Sequence, residues 1–112
     1  MSVLIVLKPA TAEEIESMLS TLQVYIKLAV DIEKKILAGG GEMHADCERK
    51  LLETGSLQRN IWGADWNPET QEVTYESLIN IRPSQNNRSM VISDLGIRCK
   101  IEAIVRHLLE IK

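Results

Sequence analysis

The chain has no phenylalanine. Its aromatic residues are two tryptophans, Trp62 and Trp66, and two tyrosines, Tyr25 and Tyr75, so its interior has to be mainly Ile, Leu, Val and Met. Cysteine is nearly as scarce. Cys47 and Cys99 stand apart, in no metal-binding spacing, which excludes a disulfide scaffold and reads as two reduced thiols. Long hydrophobic runs are also missing. Val3–Leu7 is only five apolar residues, with no basic residue before it. That is too short for a signal-peptide core or a membrane span, so a cytoplasmic protein with no membrane association is expected. There is no internal repeat, low-complexity tract or linker.

What is present is ordinary for a globular domain. The 112 residues are 45% hydrophobic and 26% charged. This length fits a single domain, residues 1–112, that folds without a disulfide or a metal. The net charge of −3 opposes non-specific nucleic-acid binding. It is unevenly spread. Residues 1–81 carry 7 Lys/Arg against 13 Asp/Glu, net −6, and residues 82–112 carry 6 against 3, net +3.

Patterning along the chain predicts an α+β fold. Val3–Leu7 reads as a buried strand stopped by Pro9. Thr11-Ala12-Glu13-Glu14 is a capping box opening a helix with Ile15, Met18, Leu19 and Leu22 on one face. Ile26, Leu28, Val30 and Ile32 alternate with Tyr25, Lys27, Ala29 and Asp31, as in a strand buried on one face. Gly39–Gly41 reads as a flexible turn, lacking both the P-loop ending and the dinucleotide spacing. Glu42–Glu53 fits a helix through Met43, Cys47 and Leu51, but strand alternation is slightly preferred, with Thr54-Gly55-Ser56 as a hairpin turn. A strand Asn60–Trp66, with Trp62 and Trp66 packed on Ala64's face, meets a turn at Asn67–Thr70 and a return strand Glu72–Arg82 ended by Pro83. A last helix, capped by Ser93 or Asp94, runs to Glu110 with Ile97, Ile101, Ile104, Val105 and Leu108 as its stripe. The expected architecture is an antiparallel sheet of about four to five strands packed by an N-terminal and a C-terminal helix.

The strings AGGGEMHADCE (38–48) and INIRPSQNNRSM (79–90), with YIKLAVDI and IWGADWNPE, resemble a family of small microbial proteins known only as a domain of unknown function. The resemblance covers about Val24 to Leu109. It implies a compact intracellular α+β domain and brings no catalytic residue, cofactor or activity.

Two segments carry candidate chemistry. The first is Asn80–Arg88, continued by Ser89: Asn80, Arg82, Ser84, Gln85, Asn86, Asn87, Arg88 and Ser89 supply amide and guanidinium donors with no acidic residue among them. Two arginines suit bidentate contact with a carboxylate or phosphate, and asparagines tolerate left-handed turns. The competing reading is a hydrogen-bonded connector with Arg82 paired to Glu76. The second is Glu42, His44, Asp46 and Glu48. A histidine flanked by carboxylates suits a general acid/base, while a metal site has little support, because Glu-x-His-x-Asp alone is a weak ligand pattern. The competing reading is a solvated strand face. A thiol nucleophile at Cys47 has only faint support. His107 is expected on the surface.

Two functions therefore stay open. One is a small intracellular binding module that takes an anionic or polar ligand, RNA or a protein partner through Arg82–Arg88. The other is a small hydrolase or nuclease-like enzyme, with His44 and Glu42 or Asp46 as acid/base and the arginines holding substrate. No cofactor is implied. A homo-oligomer would cover strand edges.

Overall fold

The computed structural model describes residues 3–110. Its elements in chain order are β1 (Leu4–Val6), α1 (Ala12–Leu19), β2 (Ile26–Asp31), β3 (Ile36–Gly39), α2 (His44–Glu53), β4 (Ile61–Trp66), β5 (Val73–Thr74) and α3 (Leu95–Leu109). One five-stranded sheet has the order β1-β3-β2-β4-β5, with every neighbour antiparallel. The fold is α+β, as the patterning predicts. No described helix is long and apolar enough to cross a membrane.

Strand alternation sorts the sheet into two faces. Ile26, Leu28, Val30, Leu37, Trp62, Ala64 and Trp66 point one way and are buried against α1 (Ile15, Met18) and α3 (Ile101, Val105, Leu108). The expected capping box at Thr11 and Glu14 opens α1, and the Asp94 side chain caps α3. Ala29, Ala38 and Ile61 point the other way, against Cys47 and Leu51 of α2. On that second face, Ala29 is in register with Ala38 on one side and Gly63 on the other. Ala29 and Ala38 give α2 a shallow seat, while the space above Gly63 is taken by Ser77 and Ile79.

α2 corrects the preference for a strand over Glu42–Glu53. Alternation through Met43, Ala45 and Cys47 breaks at Arg49, whereas the four-residue spacing carries on from Cys47 to Leu51, and both of these are buried. The Asp46 carboxylate reaches back to the Met43 N–H at 3.2 Å and caps the first turn. Thr54-Gly55-Ser56 ends this helix and is not a hairpin turn. Gly55 sits at φ +101°, and the Gly55 and Ser56 N–H groups donate to Leu52 and Leu51, a Schellman arrangement.

The return strand expected over Glu72–Arg82 is confined to Val73–Thr74. Beyond it the chain leaves the sheet and makes short 3-10 turns at Leu78–Asn80 and Pro83–Gln85. Bridges pair Glu76 with Val91 and Arg82 with Asn87, closing residues 76–91 into a loop. The outer edge of β4 is met by side chains there. Gly63 donates its N–H to the Asn80 Oδ1 at 2.7 Å, and the Asn80 amide donates back to the Gly63 carbonyl at 3.0 Å. Arg82 donates to the Ile61 carbonyl. A side chain at position 63 has no room, because a Cβ there would sit 2.6 Å from the Ser77 Cβ.

Asn80 is fully buried, so its loss leaves two backbone groups of Gly63 without partners. Asn80→Ala is expected to destabilise the fold by roughly 2–6 kcal/mol in urea denaturation, at about 1–3 kcal/mol per orphaned group. Asn80→Asp is expected to do no better, because its second oxygen faces the Gly63 carbonyl. Wild-type stability in either variant would refute the edge-capping role.

Candidate functional site

The Gly39–Gly41 run is not a free loop. Gly39 ends β3, Gly40 turns at φ +99°, and Gly41 packs so closely that a Cβ would meet the Cys47 Sγ at 3.2 Å. This path brings the first residue of α2, His44, over the end of β4. There Asp65 projects on the α2 face, opposite to Trp62 and Trp66. The His44 Nε2 lies 2.7 Å from the Asp65 carboxylate and 3.1 Å from the Ala64 carbonyl. Both partners can only accept, so Nε2 carries the proton and the lone pair of a neutral ring sits on Nδ1. No described residue hydrogen-bonds Nδ1. Lys27, paired with Asp65 across β2 and β4, donates its ammonium to the Glu42 carbonyl at 3.0 Å.

These residues wall an open cleft of about 350 Å³. His44, Asp65, Lys27 and Tyr25 form its polar side, with Glu76 at the rim, and Met43, Leu78 and Met90 supply its exposed apolar side. Of the residues singled out with His44, Asp46 is used as the α2 cap and lies 3.9 Å from Arg49, and Glu42 is exposed. The carboxylate that His44 meets is Asp65. Nothing in the local 42–48 pattern names it. A signal was present in β4, where an acidic residue stands between apolar neighbours on the face opposite to the tryptophans.

The Asn80–Arg88 segment turns its polar groups onto the chain itself. Arg82 is buried and pairs with Glu48 at 3.5 Å, not with Glu76. Its guanidinium also donates to the Ile79, Gln58 and Ile61 carbonyls and lies over the Trp62 ring, 4.7 Å from its centroid. Burial pushes its pKa down, and Glu48 opposes that. The Asn87 amide donates to the carbonyls of Asn80, Ser89 and Val91, while its oxygen accepts from Ser93. Gln85 donates to the Arg59 carbonyl, and Ser89 to that of Val91. Asn86 takes the left-handed conformation at φ 61° that closes the turn. Arg88 is exposed and makes no ion pair with any described residue. The segment and His44 are brought onto one side of the sheet, but Arg82 and His44 line different hollows that share Leu78 and Ile79.

No three histidine, cysteine or carboxylate residues cluster as metal ligands among the described residues. Cys47 is fully buried, and burial pushes its thiol up to about 11, while Cys99 is exposed. His107 is exposed on α3.

Two outcomes follow from these placements. Arg82→Ala should lower stability by about 3 kcal/mol or more, because Glu48 and three carbonyls lose their partner, whereas Arg88→Ala should stay within about 0.5 kcal/mol. Equal effects in thermal melts would contradict this assignment. At pH 8, a thiol reagent should modify Cys99 quickly and Cys47 only on unfolding. Because the Cys47 pKa is raised, its contribution to stability is intact below the ordinary thiol value and is lost as pH rises from about 9 to about 11. In a Cys47→Ala variant, this part of the alkaline decline should vanish.

No curated protein and no solved structure matches the chain. The match is to a family model described as Protein of unknown function (DUF5674), over residues 4–108. The chain belongs to that family.

Proposed function

We propose that the protein is a small binding module whose ligand occupies the His44 cleft. The observation that carries this reading is the His44–Asp65 pair at 2.7 Å, set in an open concavity between polar and exposed apolar walls. Convergent polar groups beside apolar surface are the usual make-up of a ligand site. The Arg82–Arg88 segment, the other candidate, has less to offer a ligand. Arg82, Asn80 and Asn87 are buried and hydrogen-bonded within the chain, which leaves Arg88 as its free cation. The residues that flank the segment, Leu78 and Ile79 before and Met90 after, build one wall of the cleft.

A second reading keeps the same residues. Asp65 orients the imidazole so that the Nδ1 lone pair is available as a general base, the arrangement a small hydrolase would use. Cys47, the nearby thiol, is buried and donates to the Lys27 carbonyl at 3.5 Å, so a nucleophile would have to be water. In that case His44→Gln should lower turnover by about 10²–10⁴-fold.

Methionine methyl labelling tests the binding reading without knowledge of the ligand. Met43 and Met90 line the cleft, and Met18 is buried on the opposite face of the sheet as an internal control. In a screen of small polar–apolar compounds by NMR, binders are expected to shift the Met43 and Met90 methyls and leave Met18 in place. Their affinity is expected to fall at least tenfold in His44→Ala. Binders that leave both cleft methyls unmoved would overturn the reading.

A further inference from the structure

The His44 cleft does not stand alone. It shares Tyr25 and Asp65 with a hollow of about 270 Å³ lined by Val24, Trp66, Asn67 and Glu72. On its other side it shares Leu78 and Ile79 with a hollow of about 490 Å³ lined by Glu48, Gln58, Arg82 and Gln85. The three hollows follow β4 from Trp66 at one end to Arg82, bonded to the Ile61 carbonyl, at the other. Six strand residues span about 17 Å at ~3.4 Å each, the length of five or six residues of another extended chain.

The chemistry along this groove is one-sided. Asp65, Glu72, Glu76 and Glu48 face it against Lys27 and Arg82, net −2 with His44 neutral. Both cations are engaged: Lys27 with the Glu42 carbonyl, and Arg82 with Glu48 and three carbonyls. Glu72 and Glu76 have no cationic partner among the described residues. Apolar side chains stand exposed along the same line, with Val24 66%, Met43 55%, Leu78 66% and Ile81 43% accessible. Methionine and other flexible apolar side chains adapt to varied partners.

From this length, charge and apolar spacing we infer that the groove holds an extended, basic segment of a partner protein, with Lys or Arg side chains alternating with apolar ones. This rests on the cleft reading above and names its occupant. The partner does not add a strand to β4 between Ile61 and Gly63, because Asn80 and Arg82 already occupy that edge. Recognition is therefore through side chains: the carboxylates of Glu72 and Glu76 take the cations, and the exposed apolar groups take the alternate positions.

Selection of displayed random hexapeptides on the full chain tests this. Enriched peptides are expected to be net positive, with apolar residues at alternate positions, and to bind the E72Q/E76Q double variant at least tenfold more weakly. Both glutamates are exposed, so that variant is expected to fold, and its circular dichroism and melting curve check this. Enrichment of acidic peptides, no enrichment, or equal binding to the folded double variant would overturn the inference. Spermine competing as well as the peptides would overturn it too, by reducing the site to a simple counter-charge. A dimer in sedimentation velocity that dissociates in E72Q/E76Q would assign the groove to a second copy and overturn it. The two readings fail separately. Small compounds that shift the Met43 and Met90 methyls, with no peptide enriched, would remove the peptide and leave the cleft. Peptides that bind without moving either methyl would remove both.

Discussion

The two hydrogen bonds between the Asn80 side chain and the Gly63 backbone are the constraint on which the rest of the arrangement depends. β4 is paired along its whole length with β2, but β5 meets only Asp65 and Trp66. The remaining outer edge of β4 would be an open ladder, exposed to pairing with any other chain. An amide side chain presents one acceptor and one donor pair, so Asn80 can satisfy both backbone groups of Gly63 where a strand residue would otherwise be needed. Arg82 does the same for the Ile61 carbonyl with a charged donor. Gly63 is the condition for this, since only a residue without a side chain lets the Ser77–Asn80 turn come so near.

That substitution of side chain for strand decides where polar chemistry is left over. Closing the edge draws Asn80, Arg82, Asn87 and Gln85 onto internal partners, and it fixes the Leu78–Asn80 turn opposite the first turn of α2. The cleft between them exists because both walls are held: one by the Asn80 clamp, the other by α2 seated on Ala38 and Ala29. His44 and Asp65 face into the space between. The same two alanines explain Cys47, whose compact side chain fills the α2 seat and is kept as a neutral thiol by burial.

The sequence and the structure agree where one pattern dominates. The capping box at Thr11 and the pairing of Trp62 with Trp66 on one face are local signals that appear as expected, and so does the alternation through Ile26, Leu28 and Val30. But β2 is not buried on one face alone, because α2 covers the other and Ala29 and Asp31 are buried as well. Glu42–Glu53 was ambiguous because a ten-residue helix with two buried positions carries a weak period, and Met43, Ala45 and Cys47 mimic alternation for its first turn. The return strand after Val73 failed for a different reason. Its alternation was real, but tertiary hydrogen bonds from Asn80 and Arg82 supplied what backbone pairing would have. Asp65 as the partner of His44 was not legible from spacing, since the two are separated in sequence and meet only when α2 folds onto β4. The density of polar residues in Asn80–Arg88 was visible, but whether such residues face solvent or the chain's own carbonyls is set by the fold.

The Asn80 amide holds the Gly63 edge of the sheet as firmly as a paired strand would. Native-state hydrogen exchange at the Gly63 N–H reads this directly. Protection is expected to lie close to the global unfolding free energy in the wild type, and Asn80→Ala is expected to lose more protection at Gly63 than at the β2-paired amides of Ala64 and Trp62. Rapid exchange at Gly63 in the wild type, or a uniform loss across β4 in the variant, would contradict it.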